Sequence, residues 1–218
     1  RIVAYDLDSP YDFENATRTG TIHSGAGSFN PGDSLQWIND GASYMAFGIS
    51  SNTLSIYNCP SVYVINGTVA AAQAVTSVTL GWSAATTGFY MSRDGTKLVG
   101  SGNNGDSTYS VKIFELATPF VITSGRTLLS TYTYTGDSGA PNGHMTQMQL
   151  STDGLTLVFS YSTADMKFGN MTVPFDVTTM IFSSGRLIQT DMIDNPWRVG
   201  HIPPDGNSIY VYNNNFSA

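Results

Sequence analysis

Along this chain, apolar residues come in short alternating runs separated by clusters of Gly, Asn, Asp, Ser and Pro, and hardly any segment carries a helical period. That pattern predicts short β-strands joined by tight turns. Residues 69–75 (Val-Ala-Ala-Ala-Gln-Ala-Val) are the one helix-compatible stretch. The turns keep a period. Asp-Gly recurs at Asp40-Gly41, Asp94-Gly95, Asp153-Gly154 and Asp205-Gly206, at intervals of 54, 59 and 52 residues. An apolar residue precedes each Asp by three positions (Trp37, Met91, Leu150, Ile202), and a β-rich run follows each. Such flanked Asp-Gly pairs are strong hairpin signals, because both residues tolerate the positive φ of a tight turn.

A second marker keeps the same spacing. Proline followed by an aromatic or apolar stretch appears at Pro10-Tyr11-Asp12-Phe13, Pro60-Ser61-Val62-Tyr63, Pro119-Phe120-Val121-Ile122 and Pro174-Phe175-Asp176-Val177. The predicted strands of the third unit are about 144–151, 155–160, 166–171 and 187–192. Four strands per unit of this length predict an all-β, four-bladed β-propeller with four antiparallel strands per blade, each blade burying its faces against its neighbours. The expected repeats are about 23–77, 78–131, 132–190, and 191–218 completed by 1–22. The last repeat ends after its inner hairpin. Ile2-Val3-Ala4-Tyr5-Asp6-Leu7 aligns with Val111-Lys112-Ile113-Phe114-Glu115-Leu116, so the N-terminal strands are expected to complete the C-terminal blade and leave no open edge. Donation of those strands to a neighbouring subunit is the alternative.

Composition narrows the function classes. The 218 residues carry nine Lys or Arg against sixteen Asp or Glu, for a formal charge of −7, which argues against binding a nucleic-acid backbone. No run approaches the roughly 18 apolar residues of a membrane helix, so no membrane insertion is expected, and no signal peptide is visible. Cys59 is the single cysteine.

Met91-Ser92-Arg93-Asp94-Gly95-Thr96-Lys97-Leu98-Val99, followed by residues 111–116 and by Ala117-Thr118-Pro119-Phe120-Val121-Ile122-Thr123, resembles a widespread β-propeller repeat. That repeat runs approximately F-S-P-D-G-T-K-M-Y-V, a Gly/Asp-rich turn, then V-Y-E-Y-D-L-S-T-P-F-D-V-S-T. It is common in tail-fibre and other virion proteins of bacteriophages and in bacterial surface proteins. The resemblance covers essentially the whole chain and departs most in the first unit, at Asn39-Asp40-Gly41-Ala42-Ser43. It is specific for the blade and not for an activity. What it implies is a non-enzymatic structural or host-attachment component of a virion or comparable extracellular assembly, a homo-oligomer or partner of other assembly subunits. The alternative is a carbohydrate-binding propeller that recognises cell-surface glycan.

Candidate chemistry is sparse. Gln36, Tyr90, Gln149 and His201 stand four residues before each Asp-Gly aspartate, on predicted inner strands, where they could converge on an axial channel and bind a ligand. Trp82 and Trp197, expected in linkers before inner strands, are the candidate surface aromatics for stacking a sugar. Gly136-Asp137-Ser138-Gly139-Ala140-Pro141 resembles a serine-protease nucleophile loop, which makes Ser138 the only candidate for a hydrolase. His23 lacks the context of a catalytic base, and the motif falls where an inter-blade loop is expected. Gly100-Ser101-Gly102-Asn103-Asn104-Gly105 spells a dinucleotide fingerprint but runs into a predicted strand, where the fingerprint requires a helix. No cofactor is expected. His23, His144 and His201 lie in different repeats, and Asp106 and Asp137 sit in loops that could offer oxygen ligands to Ca2+, without a calcium-loop spacing.

Overall fold

The computed structural model describes residues 2–6, 17–22, 35–48, 52–62, 71–83, 86–135, 145–161, 166–182, 197–201 and 210–213. Among them, strands and short 3-10 turns are the only regular elements, so the all-β expectation holds. Three antiparallel four-stranded sheets follow one another along the chain. The first contains β3 (Leu35–Ile38), β4 (Ser43–Gly48), β5 (Thr53–Asn58) and β6 (Gln73–Thr76). The second contains β7 (Thr86–Met91), β8 (Lys97–Asn103), β9 (Thr108–Leu116) and β10 (Arg126–Thr135). The third contains β11 (Met145–Leu150), β12 (Thr156–Tyr161), β13 (Met166–Asn170) and β14 (Ile181–Phe182). Each is a meander in sequence order. Two further two-stranded ladders are β1 (Ile2–Asp6) with β2 (Thr17–Ile22) and β15 (Trp197–His201) with β16 (Tyr210–Asn213).

Two segments of the sequence reading bear on strand limits. The helix-compatible stretch 69–75 ends in strand β6, whose Val75 is buried opposite Leu54; β-branched Val and Thr packing on the sheet prevail over the alanine run. The fourth strand of the third sheet is Ile181–Phe182, whereas the expected 187–192 lies outside the described residues.

The contiguous apolar runs in the sequence have a simple cause: both faces of each sheet are buried, so alternate side chains enter different cores. Met45, Phe47, Leu54, Ile56 and Val75 of the first sheet meet Phe89, Met91, Leu98 and Phe114 of the second. On the second sheet's opposite face, Val99, Val111, Ile113 and Tyr134 meet Met148, Leu150, Leu157 and Phe159 of the third. The outer face of the first sheet is buried too: Tyr44, 1% exposed, stacks on Tyr57 with ring centroids 4.8 Å apart. On the far face of the third sheet Val158 is 2% exposed, and β15 runs beside β11 and β12.

The ladders repeat in detail. In β9–β10, Ile113 pairs with Ser130 and Phe114 with Leu128, which leaves Leu129 as a bulge. In β1–β2, Ala4 pairs with Gly20 and Tyr5 with Arg18, which leaves Thr19 at the equivalent place. The sequence alignment is therefore matched by register and by bulge over residues 2–6 and 111–115.

Candidate functional site

The Asp-Gly turns are built alike at their second and third occurrences. Ser92 Oγ donates to Asp94 Oδ1 (2.6 Å), Thr96 N donates to the same oxygen (3.1 Å), and Lys97 N donates to Ser92 Oγ (2.8 Å). Ser151, Asp153, Leu155 and Thr156 repeat the set at 2.6, 2.9 and 2.8 Å. Gly95 and Gly154 close these turns at φ +70° and +72°. Each is covered by the ring of a Phe from its own Pro-Phe loop, Phe120 or Phe175, whose N–H donates to the glycine carbonyl at 2.9 Å.

Those Pro-Phe loops are in turn held by the preceding sheet. Gln73 on β6 donates through Nε2 to Phe120 O (2.9 Å) and accepts from Ile122 N (2.7 Å). Ser130 on β10, at the same ladder position, donates to Phe175 O (3.1 Å) and accepts from Val177 N (3.1 Å). A third clamp of this kind joins the first strands. Gln36 Nε2 donates to Met91 O (2.7 Å), and Met91 N donates to Gln36 Oε1 (2.8 Å). In each case one side chain satisfies both an N–H and a C=O of the next sheet, as a neighbouring strand would. Gln73 and Ser130 were not legible as functional positions, because their partners lie 45–49 residues away.

The four expected channel residues do occupy equivalent ladder positions. Gln36, Tyr90, Gln149 and His201 pair with Met45, Val99, Val158 and Tyr210 on the first strands β3, β7, β11 and β15. Their chemistry is not that of one open set. The Gln36 amide is committed to β7. Tyr90 is half-buried and its ionisation is pushed up, first by burial and then by the charge of Asp94. Gln149 is half-buried and engaged. The side chain of His201 lies outside the described residues.

Trp82 requires a correction. It is not a surface aromatic but 1% exposed, in the core between the first two sheets. Its ring meets Phe89 and Phe114 edge to face, and Nε1 donates to Ser110 Oγ at 3.0 Å. Gly100 on β8 makes the room: a Cβ there would sit 2.7 Å from the indole. Trp197 is the first residue of β15 and not part of a linker; its side chain lies outside the described residues.

The remaining candidates are placed or set aside in the same way. Residues 136–144, with Ser138 and Asp137, and residue His23 lie outside the described residues. The Gly100–Gly105 segment runs along β8 into the turn to β9, a strand–turn–strand arrangement unlike a nucleotide loop. Asp106 Oδ1 accepts from Thr108 N (3.0 Å) and Thr108 Oγ1 (2.5 Å), and Asn103 Oδ1 accepts from Gly105 N (2.6 Å). These oxygens cap their own loop. Among the described residues no three His, Cys, Asp or Glu side chains converge as a metal cluster. Burial pushes the Cys59 thiol up, away from the thiolate that a nucleophile needs.

The turns carry a pH dependence. Burial raises the Asp94 carboxyl, but hydrogen bonds from Ser92 and Thr96 and the charge of Lys97 outweigh it and hold the group below its ordinary value near 3.8. Asp153 is lowered chiefly by the Ser151 hydroxyl and then by Leu155 N–H. Groups depressed on folding stabilise fully above their unfolded pKa and lose that contribution as pH falls through the folded one. The melting temperature is therefore expected to be insensitive to these two groups from pH 7 to about 5 and to fall below about pH 4. The Asp94→Asn/Asp153→Asn double variant should show a shallower acid limb in thermal melts; an identical limb would remove the turns as its source.

No protein-family model matches the sequence, and no curated protein matches it significantly. Solved structures give distant likenesses. A candidate 6-phosphogluconolactonase from Bacteroides fragilis NCTC 9343 is 15% identical, with a TM-score of 0.44 over 84% of this chain and 46% of that one. Another from Bacteroides uniformis ATCC 8492 is 13% identical, with a TM-score of 0.47 over 86% of this chain and 48% of that one. The Myceliophteria thermophila Cps50 (Swd1) β-propeller domain is 9% identical, with a TM-score of 0.34 over 90% of this chain and 77% of that one. The chain spans about half the length of the two lactonase-named proteins. Likeness at this level transfers no activity, substrate or residue role to this chain.

Proposed function

We propose that the chain forms a four-bladed β-propeller that serves as a rigid, non-enzymatic platform, a structural or host-attachment component of a phage particle or comparable extracellular assembly. The three four-stranded sheets are three blades. The fourth combines β15–β16 as its inner pair with β1–β2 as its outer pair. The matching bulges at Thr19 and Leu129 support that assignment, as does the burial of the first sheet's outer face at Tyr44 and Tyr57, which an open stack would leave wet.

The observation that carries the functional reading is the clamp system. Gln36 and Gln73 tie the first sheet to the backbone of the second, and Ser130 ties the second to the third, so polar side chains that could serve a ligand instead fix blade against blade. A body locked in this way presents its loops with little conformational loss, which suits attachment and assembly. The carbohydrate-binding alternative loses Trp82 as a stacking surface and retains Trp197 alone of its two tryptophans.

Sedimentation of the purified chain with bacterial cell envelopes, beside a fluorophosphonate labelling reaction, tests the proposal. Envelope binding or self-assembly without labelling of Ser138 is the expected result. A chain that takes the label at Ser138, or that neither binds envelopes nor associates, contradicts it.

A further inference from the structure

The outer edges of the three sheets differ in a way that singles out one of them. The first ends in β6, four residues long, and the third in β14, of which the described part is Ile181–Phe182. The second ends in β10, whose ten residues, Arg-Thr-Leu-Leu-Ser-Thr-Tyr-Thr-Tyr-Thr, pair with β9 on one side and with no strand among the described residues on the other. Protein edges are normally blunted by shortness, by charge, by proline or by a bulge. β10 is long and has no Pro, Lys, Asp or Glu. Its one charge, Arg126, is turned back to donate to the carbonyl of Ile122. The bulge at Leu129 lies near one end and leaves residues 130–135 in regular pairing with β9.

Leu128 and Leu129 are 50% and 42% exposed, and Thr127 and Thr133 are exposed beside them. Their neighbourhood is electrically quiet, since Glu115 on the adjoining strand is paired with Lys97 at 2.8 Å. On a chain of formal charge −7, two copies repel one another over most of their surface and least along such a strip.

We propose that β10 is a self-association edge, on which a second copy of this chain adds its own β10 antiparallel about a two-fold axis. Antiparallel pairing of one strand with itself is isologous, so the edge needs no second, complementary surface. An axis near Thr131 sets the exposed Leu129 of each copy against Thr133 of the other and joins two four-stranded sheets into one of eight. The inference rests on the assembly reading above and names its partner and its surface.

Light scattering of the full chain over about 1–300 µM, a range in which mass action reveals a weak dimer, is the test. The mass should rise from the 23.4 kDa of one chain toward twice that value. Leu129→Lys and Thr133→Lys should each keep it at the monomer value, with unchanged circular dichroism and melting temperature, while Ile181→Lys on the β14 edge leaves association intact. Hydrogen exchange of the unmodified chain supplies an independent readout: amides in residues 131–135 should slow as concentration rises. A monomer at every concentration overturns the inference. So does association that both lysine variants leave unchanged, and that result would keep the assembly reading on a different surface. Envelope binding by a strict monomer would likewise keep the attachment reading while sinking the β10 edge.

Discussion

Trp82→Ala is expected to lower stability by about 3–5 kcal/mol, the range for emptying a buried tryptophan site. In a chain of this size that corresponds to a fall of roughly 6–20 °C in melting temperature. The indole fills the space between the first two sheets, edge to face with Phe89 at 5.8 Å and Phe114 at 6.1 Å between ring centroids. Its N–H satisfies Ser110 in the core, and Lys112 Nζ lies 4.8 Å from the ring centroid while donating to Gly81 O. Truncation would therefore open a cavity, leave the buried Ser110 hydroxyl with Asn104 as its remaining partner, and strip a half-buried ammonium of its aromatic partner. Trp82→Phe should cost less, because the volume loss is smaller while the Ser110 partner is still lost. Thermal and denaturant unfolding measure both. A melting temperature unchanged in Trp82→Ala would contradict the core placement.

Gly95→Val is expected to cost about 2–6 kcal/mol, from left-handed strain and overpacking together. At φ +70° a β-branched residue is strained, and its Cβ would lie 2.6 Å from three carbons of the Phe120 ring. Phe120 itself sits at φ +62°, held there by its N–H bond to Gly95 O. Displacing it would also disturb Ile122, fully buried, and the Gln73 clamp on either side of the loop. The effect should thus reach beyond one hairpin into the contact between sheets. Gly154→Val should repeat the loss, since Phe175 stands 2.7 Å from the equivalent Cβ position. Denaturant midpoints equal to the unmodified chain's in both variants would show that the Phe-over-Gly lock is not structural.

The parts of this fold that were legible in the sequence are the parts that depend on neighbours along the chain. Asp94-Gly95 and Asp153-Gly154 announce hairpins because the φ demand and the Ser–Asp–amide network are satisfied within six residues. The resemblance of residues 2–7 to 111–116 foretold a strand pair whose bulge at Thr19 matches the one at Leu129. What stayed hidden depends on distance. Trp82 follows Gly81 in a linker before an inner strand and reads as a surface aromatic. The residues that bury it, Phe89, Gly100, Ser110 and Phe114, come later, and Gly100 was read only as part of a false nucleotide motif. Gln36 was recognised as a polar residue at a special inner-strand position, but a polar residue there suits a ligand site and a clamp equally. The choice between them depends on the backbone of Met91, 55 residues away.

In the proposed closed ring β1–β2 supplies the outer half of the blade whose inner half is β15–β16, and the ladders fix the register this requires. Tyr210 stands opposite His201 as Val99 stands opposite Tyr90, and Val99 in turn faces Ile113, the counterpart of Ala4. Tyr210 should therefore face Ala4, and Val211 should face Val3. The most direct measurement is oxidation of a Val3→Cys/Val211→Cys chain carrying Cys59→Ser, followed by non-reducing electrophoresis and peptide mapping. A disulfide joining residues 3 and 211 within one chain is the predicted result. Thiols that stay free, or a disulfide that links two chains, would contradict closure of the blade by the chain's own N-terminal strands.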